Sequence, residues 1–127
     1  MLTPAETIVS QRLCYLETTG RMTGKPHEVE MWFAADPDAP GTLYLLSGGG
    51  ERRDWVKNIR RSSAVSVRIG DARYLGSARI VPPAGSADRR AREIVAAKYQ
   101  GWSAGQPFSQ WARESLAVAI ELEGLAT

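Results

Sequence analysis

Short stretches of alternating apolar and polar residues, separated by turn residues, make up most of the chain. From Gln11 to Thr19 the apolar Leu13 and Tyr15 alternate with other residues and β-branched residues gather at the end, which predicts a strand. His27 to Ala35 alternates more clearly, with Val29, Met31 and Phe33 on one side and Glu28, Glu30 and Trp32 on the other. It reads as the hairpin partner of the first strand across the turn Gly20 to Pro26, where two glycines admit positive φ and a proline blocks a helix. Asp36 to Gly41 reads as a plain surface turn. Thr42 to Ser47 carries the continuous apolar run Leu43-Tyr44-Leu45-Leu46, the pattern of a strand buried on both faces. Ala64 to Ile69 and Ala72 to Val81 alternate around the tight turn Gly70-Asp71, and Leu116 to Leu122 alternates as a last strand.

Helical spacing appears in four places. Residues 3–10 open with Thr3 as N-cap and Pro4 at the first helical position. Glu51 to Arg61 places Trp55, Val56 and Ile59 on one face, and Ser62 or Ser63 ends it. Ala87 to Tyr99, capped by Ser86 or Asp88, would bury Ile94, Val95 and Ala97, and Phe108 to Glu114 is a short segment. Hairpin turns between most neighbouring strands predict an antiparallel sheet. Six short antiparallel strands remove their edges by closing, so the expected fold is mainly β (α+β). Its form is a six-stranded antiparallel barrel with helices packed outside, residues 1–127 forming a single domain.

Composition narrows the function classes. Of 127 residues, 43% are hydrophobic and 24% charged, an ordinary globular balance, and a net charge of +2 is too mild for a dedicated nucleic-acid binder. The single cysteine, Cys14, excludes an internal disulfide and reads as a small core residue. No apolar run approaches the ~20 residues of a membrane span, and the N-terminal segment lacks the basic start and apolar core of a signal peptide, so the expected location is cytoplasmic. His27, the only histidine, cannot build a zinc site with one cysteine, and no metal is expected. A serine nucleophile would need a G-x-S-x-G elbow or an oriented base, and neither occurs.

Two glycine-rich loops carry the candidate chemistry. Ser47-Gly48-Gly49-Gly50 leads from a strand into a helix with five basic residues, Arg52, Arg53, Lys57, Arg60 and Arg61. Free backbone N–H groups and the helix dipole there favour an anion. The bland reading, a glycine turn before a solvated basic helix, fits equally well. Gly20-Arg21-Met22-Thr23-Gly24-Lys25 adds two cations and a hydroxyl, though alone it is an ordinary hairpin turn. Trp55 would offer a flat surface to a ring or simply join the core.

The run Leu16-Glu17-Thr18-Thr19-Gly20-Arg21-Met22-Thr23-Gly24-Lys25-Pro26, then Ser47-Gly48-Gly49-Gly50, then Trp55-Val56-Lys57-Asn58-Ile59, resembles the deazaflavin-dependent nitroreductase and quinone-reductase family. The resemblance covers about residues 12 to 82. It implies a split β-barrel of the pyridoxamine-phosphate-oxidase-like, FMN-binding type. It also implies hydride transfer from reduced coenzyme F-420 to a small electron-poor acceptor, a quinone or nitroaromatic, in a cytoplasmic homodimer. Carried over by position, Arg21, Thr23 and Lys25 would hold the phosphate and acidic tail. Ser47, Gly48, Gly49 and Gly50 would approach the ring or phosphodiester, and Trp55 and Asn58 would shape the ring pocket. Ser47 would polarise the acceptor or a ring carbonyl, as the one catalytic candidate. Two family lysines fall on Met22 and Gly48, which keeps FMN as the alternative cofactor; a non-enzymatic barrel binding a ligand or RNA through Arg52 to Arg61 is the second alternative. Tyr99, Trp102 and Trp111 are the candidates for the acceptor side.

Overall fold

A computed structural model describes residues 3–125. Helix α1 (Pro4–Ser10) begins as expected, the Thr3 hydroxyl accepting from the Glu6 N–H. Seven strands follow in one sheet: β1 (Cys14–Thr19), β2 (Pro26–Met31), β3 (Ala34–Asp36), β4 (Ala39–Ser47), β5 (Ala64–Ile69), β6 (Ala72–Ile80) and β7 (Leu116–Leu125). Helix α2 (Asp54–Arg61) lies between β4 and β5, and α3 (Ser86–Gln100) and α4 (Gln110–Glu114) lie between β6 and β7. The order across the sheet is β2-β1-β5-β6-β7-β4-β3, and every pair is antiparallel.

The seventh strand corrects the expected six. The stretch His27 to Ala35 keeps its alternation but leaves the ladder at Trp32-Phe33. There the Phe33 N–H donates to the Tyr99 hydroxyl at 3.0 Å, and the Phe33 carbonyl accepts from Lys98 Nζ at 3.0 Å. With its polar groups satisfied by α3, the backbone has no need of a strand partner. The break also closes the fold. The edge strands β2 and β3 are joined by only these two residues, three Cα steps that reach about 10–11 Å, so the sheet must curl until its edges meet. This is a split barrel, as expected. The supposed surface turn shrinks to Pro37-Asp38, because β3 and β4 extend into it and Asp36 is buried in an ion pair with Arg90 at 2.9 Å.

Two apolar layers result. Inside the barrel, Leu16, Leu43, Leu45, Val67 and Ile120 pack with Trp55, Val56 and Ile59 of α2. Outside, Tyr44, Leu46, Ala117 and Ala119 pack with Ala91, Val95 and Ala96 of α3. Strand β4 is buried on both faces from Thr42 to Ser47, which explains its unbroken apolar run. Helix α3 is rotated from expectation: Ala91, Val95 and Ala96 are buried, Ile94 is half-buried and Ala97 is exposed. Its N-cap position is Gly85 rather than Ser86 or Asp88, and Asp88 instead binds Arg92 at 2.9 Å. Among the described residues no helix is long and apolar enough to cross a membrane.

Candidate functional site

The β1–β2 loop is held in shape by its own backbone. The Gly20 N–H donates to the Lys25 carbonyl and the Gly24 N–H to the Gly20 carbonyl, both at 2.8 Å. A Cβ on Gly20 would stand 2.8 Å from Thr23 Oγ1 and 3.0 Å from the Lys25 carbonyl, and Gly24 has φ +72°, so both positions require glycine. The Thr23 hydroxyl accepts from the Lys25 N–H at 3.2 Å and belongs to the turn itself.

Arg21 is the fixed point between this loop and α2. Its backbone N–H and its Nη1 both donate to Asn58 Oδ1, at 3.1 and 3.0 Å, and its Nη2 meets Asp54 Oδ1 at 3.2 Å. Asn58 is buried, and its Nδ2 donates to Thr18 Oγ1 at 3.0 Å, with the Thr18 hydroxyl donating onward to the His27 carbonyl at 3.4 Å. A carboxamide suits this place because one side chain must accept twice and donate once. The result is a cleft of about 250 Å³ lined by Gly20, Arg21, Thr23, Lys25, His27, Asp54 and Asn58.

The glycine loop is built differently from expectation. Ser47 is buried at the end of β4, and its hydroxyl donates to the Gly50 carbonyl at 3.0 Å. Gly50 has φ +59° and starts a 3-10 turn, Gly50–Arg52, so the α-helix predicted from Glu51 begins only at Asp54. The Arg53 side chain folds back over Gly49 and fills the space a Cβ there would need. Gly48 backs onto the Trp111 indole so closely that a Cβ there would stand 2.9 Å from Nε1. It borders a second cavity of about 300 Å³, formed with Gln110, Glu114 and Ser115. Thus Arg21, Thr23, Lys25 and Asn58 share one cleft, Gly48 faces another, and Ser47 and Trp55 are buried beneath them.

Charge favours an anion at this end. Arg52, Arg53, Lys57, Arg60 and Arg61 are exposed; Arg60 pairs with Glu51. Among the described residues Lys25, Arg52, Arg53, Lys57 and Arg61 have no carboxylate within salt-bridge distance.

An aromatic group adjoins the glycine loop. Trp32 stacks on Tyr99 with centroids 4.4 Å apart and planes 5° apart, and meets Trp111 edge-on at 5.4 Å. Trp102 instead packs on Phe108 in the outer layer, 5.2 Å away. Of the three aromatic candidates, then, Tyr99 and Trp111 gather and Trp102 does not. Sequence reasoning missed Trp32, Thr18 and Asp54. The available signal for Trp32 was a tryptophan on the polar side of an alternating strand. Nearby, burial brings the Lys98 amine down to about 8 and pushes the Cys14 thiol up to about 12. No group of three or more histidine, cysteine or acidic side chains suited to a metal occurs among the described residues.

Comparison with known proteins identifies relatives and structures of the same fold. An F420H(2)-dependent quinone reductase from Mycobacterium tuberculosis is 33% identical over 70 residues, 54% of this chain and 46% of that protein, so the match spans about half the relative's length. A conserved hypothetical protein from Mycobacterium tuberculosis shares the fold at 22% identity and TM-score 0.71, over 98% of this chain and 83% of that one. An F420-H2 dependent reductase shares it at 19% identity and TM-score 0.66, over 87% and 94%. The profile of one family, described as F420H(2)-dependent quinone reductase, matches residues 5–123, and the chain belongs to that family.

Proposed function

We propose that this chain, folded as one domain, is an oxidoreductase that passes a hydride from reduced coenzyme F-420 to an electron-poor acceptor, a quinone or nitroaromatic. The observation that carries the reading is the double attachment of Arg21 to buried Asn58, which fixes a guanidinium on the wall of a cleft that also holds Lys25. The donor set fits a phosphodiester and carboxylate tail. Arginine presents paired donors to phosphate, and Lys25 has no carboxylate partner among the described residues.

Coenzyme F-420, when bound, supplies the hydride. Everything else falls to the protein: holding the tail, aligning two flat rings and excluding water. Arg21 and Lys25 would hold the tail, with Thr23 shaping the turn that presents Lys25. Gly48 lets the loop lie against Trp111, Gly49 makes room for the Arg53 side chain and Gly50 makes the turn, while Asn58 fixes the cleft wall and Trp55 anchors α2 in the core. Ser47 acts through the loop it pins at Gly50, setting where the neighbouring N–H groups stand. Trp111, against Gly48, and Trp32, edge-on to Trp111, would give the acceptor a flat surface. A homodimer, implied by the family resemblance, would cover the open side of this end.

The test is a turnover assay. Purified protein, reduced coenzyme F-420 and a soluble quinone should show acceptor-dependent oxidation of the coenzyme. Absence of turnover with F-420, together with tight FMN binding, would transfer the barrel to FMN. Sedimentation should give twice the chain mass.

A further inference from the structure

Asp54 contacts the Arg21 nitrogen that an anionic ligand would also use, on the wall of the same cleft. The Arg21 guanidinium commits Nη1 to Asn58, and its Nη2 edge faces Asp54 at 3.2 Å. A phosphate or carboxylate binds arginine best through two parallel N–H groups, and both such pairs of a guanidinium include Nη2, the nitrogen Asp54 contacts, so a ligand there crowds the Asp54 carboxylate. The two partners are unequally fixed. Arg21 is tied at its backbone and at Nη1, with its side chain 30% exposed, whereas the Asp54 side chain is 66% exposed and has no other polar side-chain partner among the described residues. Asp54 is also the first residue of α2, where the helix dipole stabilises a carboxylate without help from Arg21. One rotamer change frees the guanidinium.

We infer that Asp54 is a built-in competitor for Arg21, which weakens retention of an anionic ligand in the cleft and speeds its release. The inference rests on the proposed function, in which Arg21 holds the coenzyme's anionic tail. A diffusible hydride carrier must leave after each transfer, and a carboxylate that recaptures Arg21 serves that exchange. Because Asp54 is exposed and the pair is partly solvated, the effect on affinity is modest, about two- to fivefold. It falls mainly on the dissociation rate.

The experiment titrates inorganic triphosphate into the full-length chain at fixed ionic strength, using wild type, Asp54→Asn, Asp54→Ala, Arg21→Ala and Arg21→Ala/Asp54→Asn, with melting curves for each. Coenzyme F-420 dissociation is then timed for wild type and Asp54→Asn. The expected result is weak binding to Arg21→Ala, about two- to fivefold tighter binding to both Asp54 variants, slower coenzyme release from Asp54→Asn, and little gain from Asp54→Asn once Arg21 is gone. If Arg21→Ala binds as wild type does, the anion reading and this inference fall together. If Arg21→Ala is weak and the Asp54 variants are weak too, Asp54 orients Arg21 and competition is wrong while the anion reading stands. An equal gain with and without Arg21 would show general charge removal, which also overturns the competition.

Discussion

Asn58 does its work through three hydrogen bonds rather than through exposure. Accepting twice from Arg21 and donating to Thr18, it ties a hairpin turn already closed by its own backbone to α2 and β1. Asn58→Ala leaves the Arg21 N–H without its acceptor and Thr18 without its donor, so it should destabilise the fold by about 1–3 kcal/mol. It should also weaken anion binding, measured by urea denaturation and by triphosphate titration. Asn58→Asp, which keeps the Oδ1 that accepts both bonds and loses only the donor to Thr18, should retain more of the Arg21 geometry than alanine does. In the sequence, family resemblance points to Asn58 and a glycine-flanked turn points to Arg21. Their contact across 37 positions is not readable there, because hydrogen-bond partners depend on how the loop folds over α2.

The break between β2 and β3 is the element that most separates sequence from structure. Alternation through Trp32 and Phe33 is intact, so local pattern alone predicts one strand. What ends it lies 66 positions later: the Tyr99 hydroxyl accepting from the Phe33 N–H. Tyr99→Phe keeps the stack on Trp32 but removes that acceptor, and should lower stability by about 1–3 kcal/mol in urea denaturation with the fold retained. Strand β4, by contrast, is legible because an element buried on both faces leaves an unbroken apolar run. The late start of α2 is not, since the positive φ of Gly50 is permitted but not demanded by a glycine.

For the molecule as a whole, alkaline stability carries a signature of half-buried Lys98 and buried Cys14. Lys98 titrates near 8 in the folded state against 10.5 ordinarily, so the unfolded chain holds the extra proton between those values and stability rises with pH there. Cys14 has the opposite sign. Its folded value near 12 against 9.0 ordinarily means the unfolded chain loses its proton first, and stability falls above pH 9. The rise from pH 8 to 9 therefore belongs to Lys98, and Lys98→Met should flatten it in denaturation midpoints taken across that window. Cys14→Ala should flatten the decline above pH 9.

The split barrel brings the two glycine-rich loops to one end of the sheet, and the account depends on Arg21 gripping an anionic tail there. The direct measurement is the affinity of wild type and Arg21→Ala for coenzyme F-420, with FMN titrated alongside. Loss of one charged hydrogen-bonding partner should weaken F-420 binding by about 10- to 100-fold, with FMN binding weaker than F-420 in the wild type. Equal affinity of the two proteins for F-420, or a clear preference of the wild type for FMN, would contradict it.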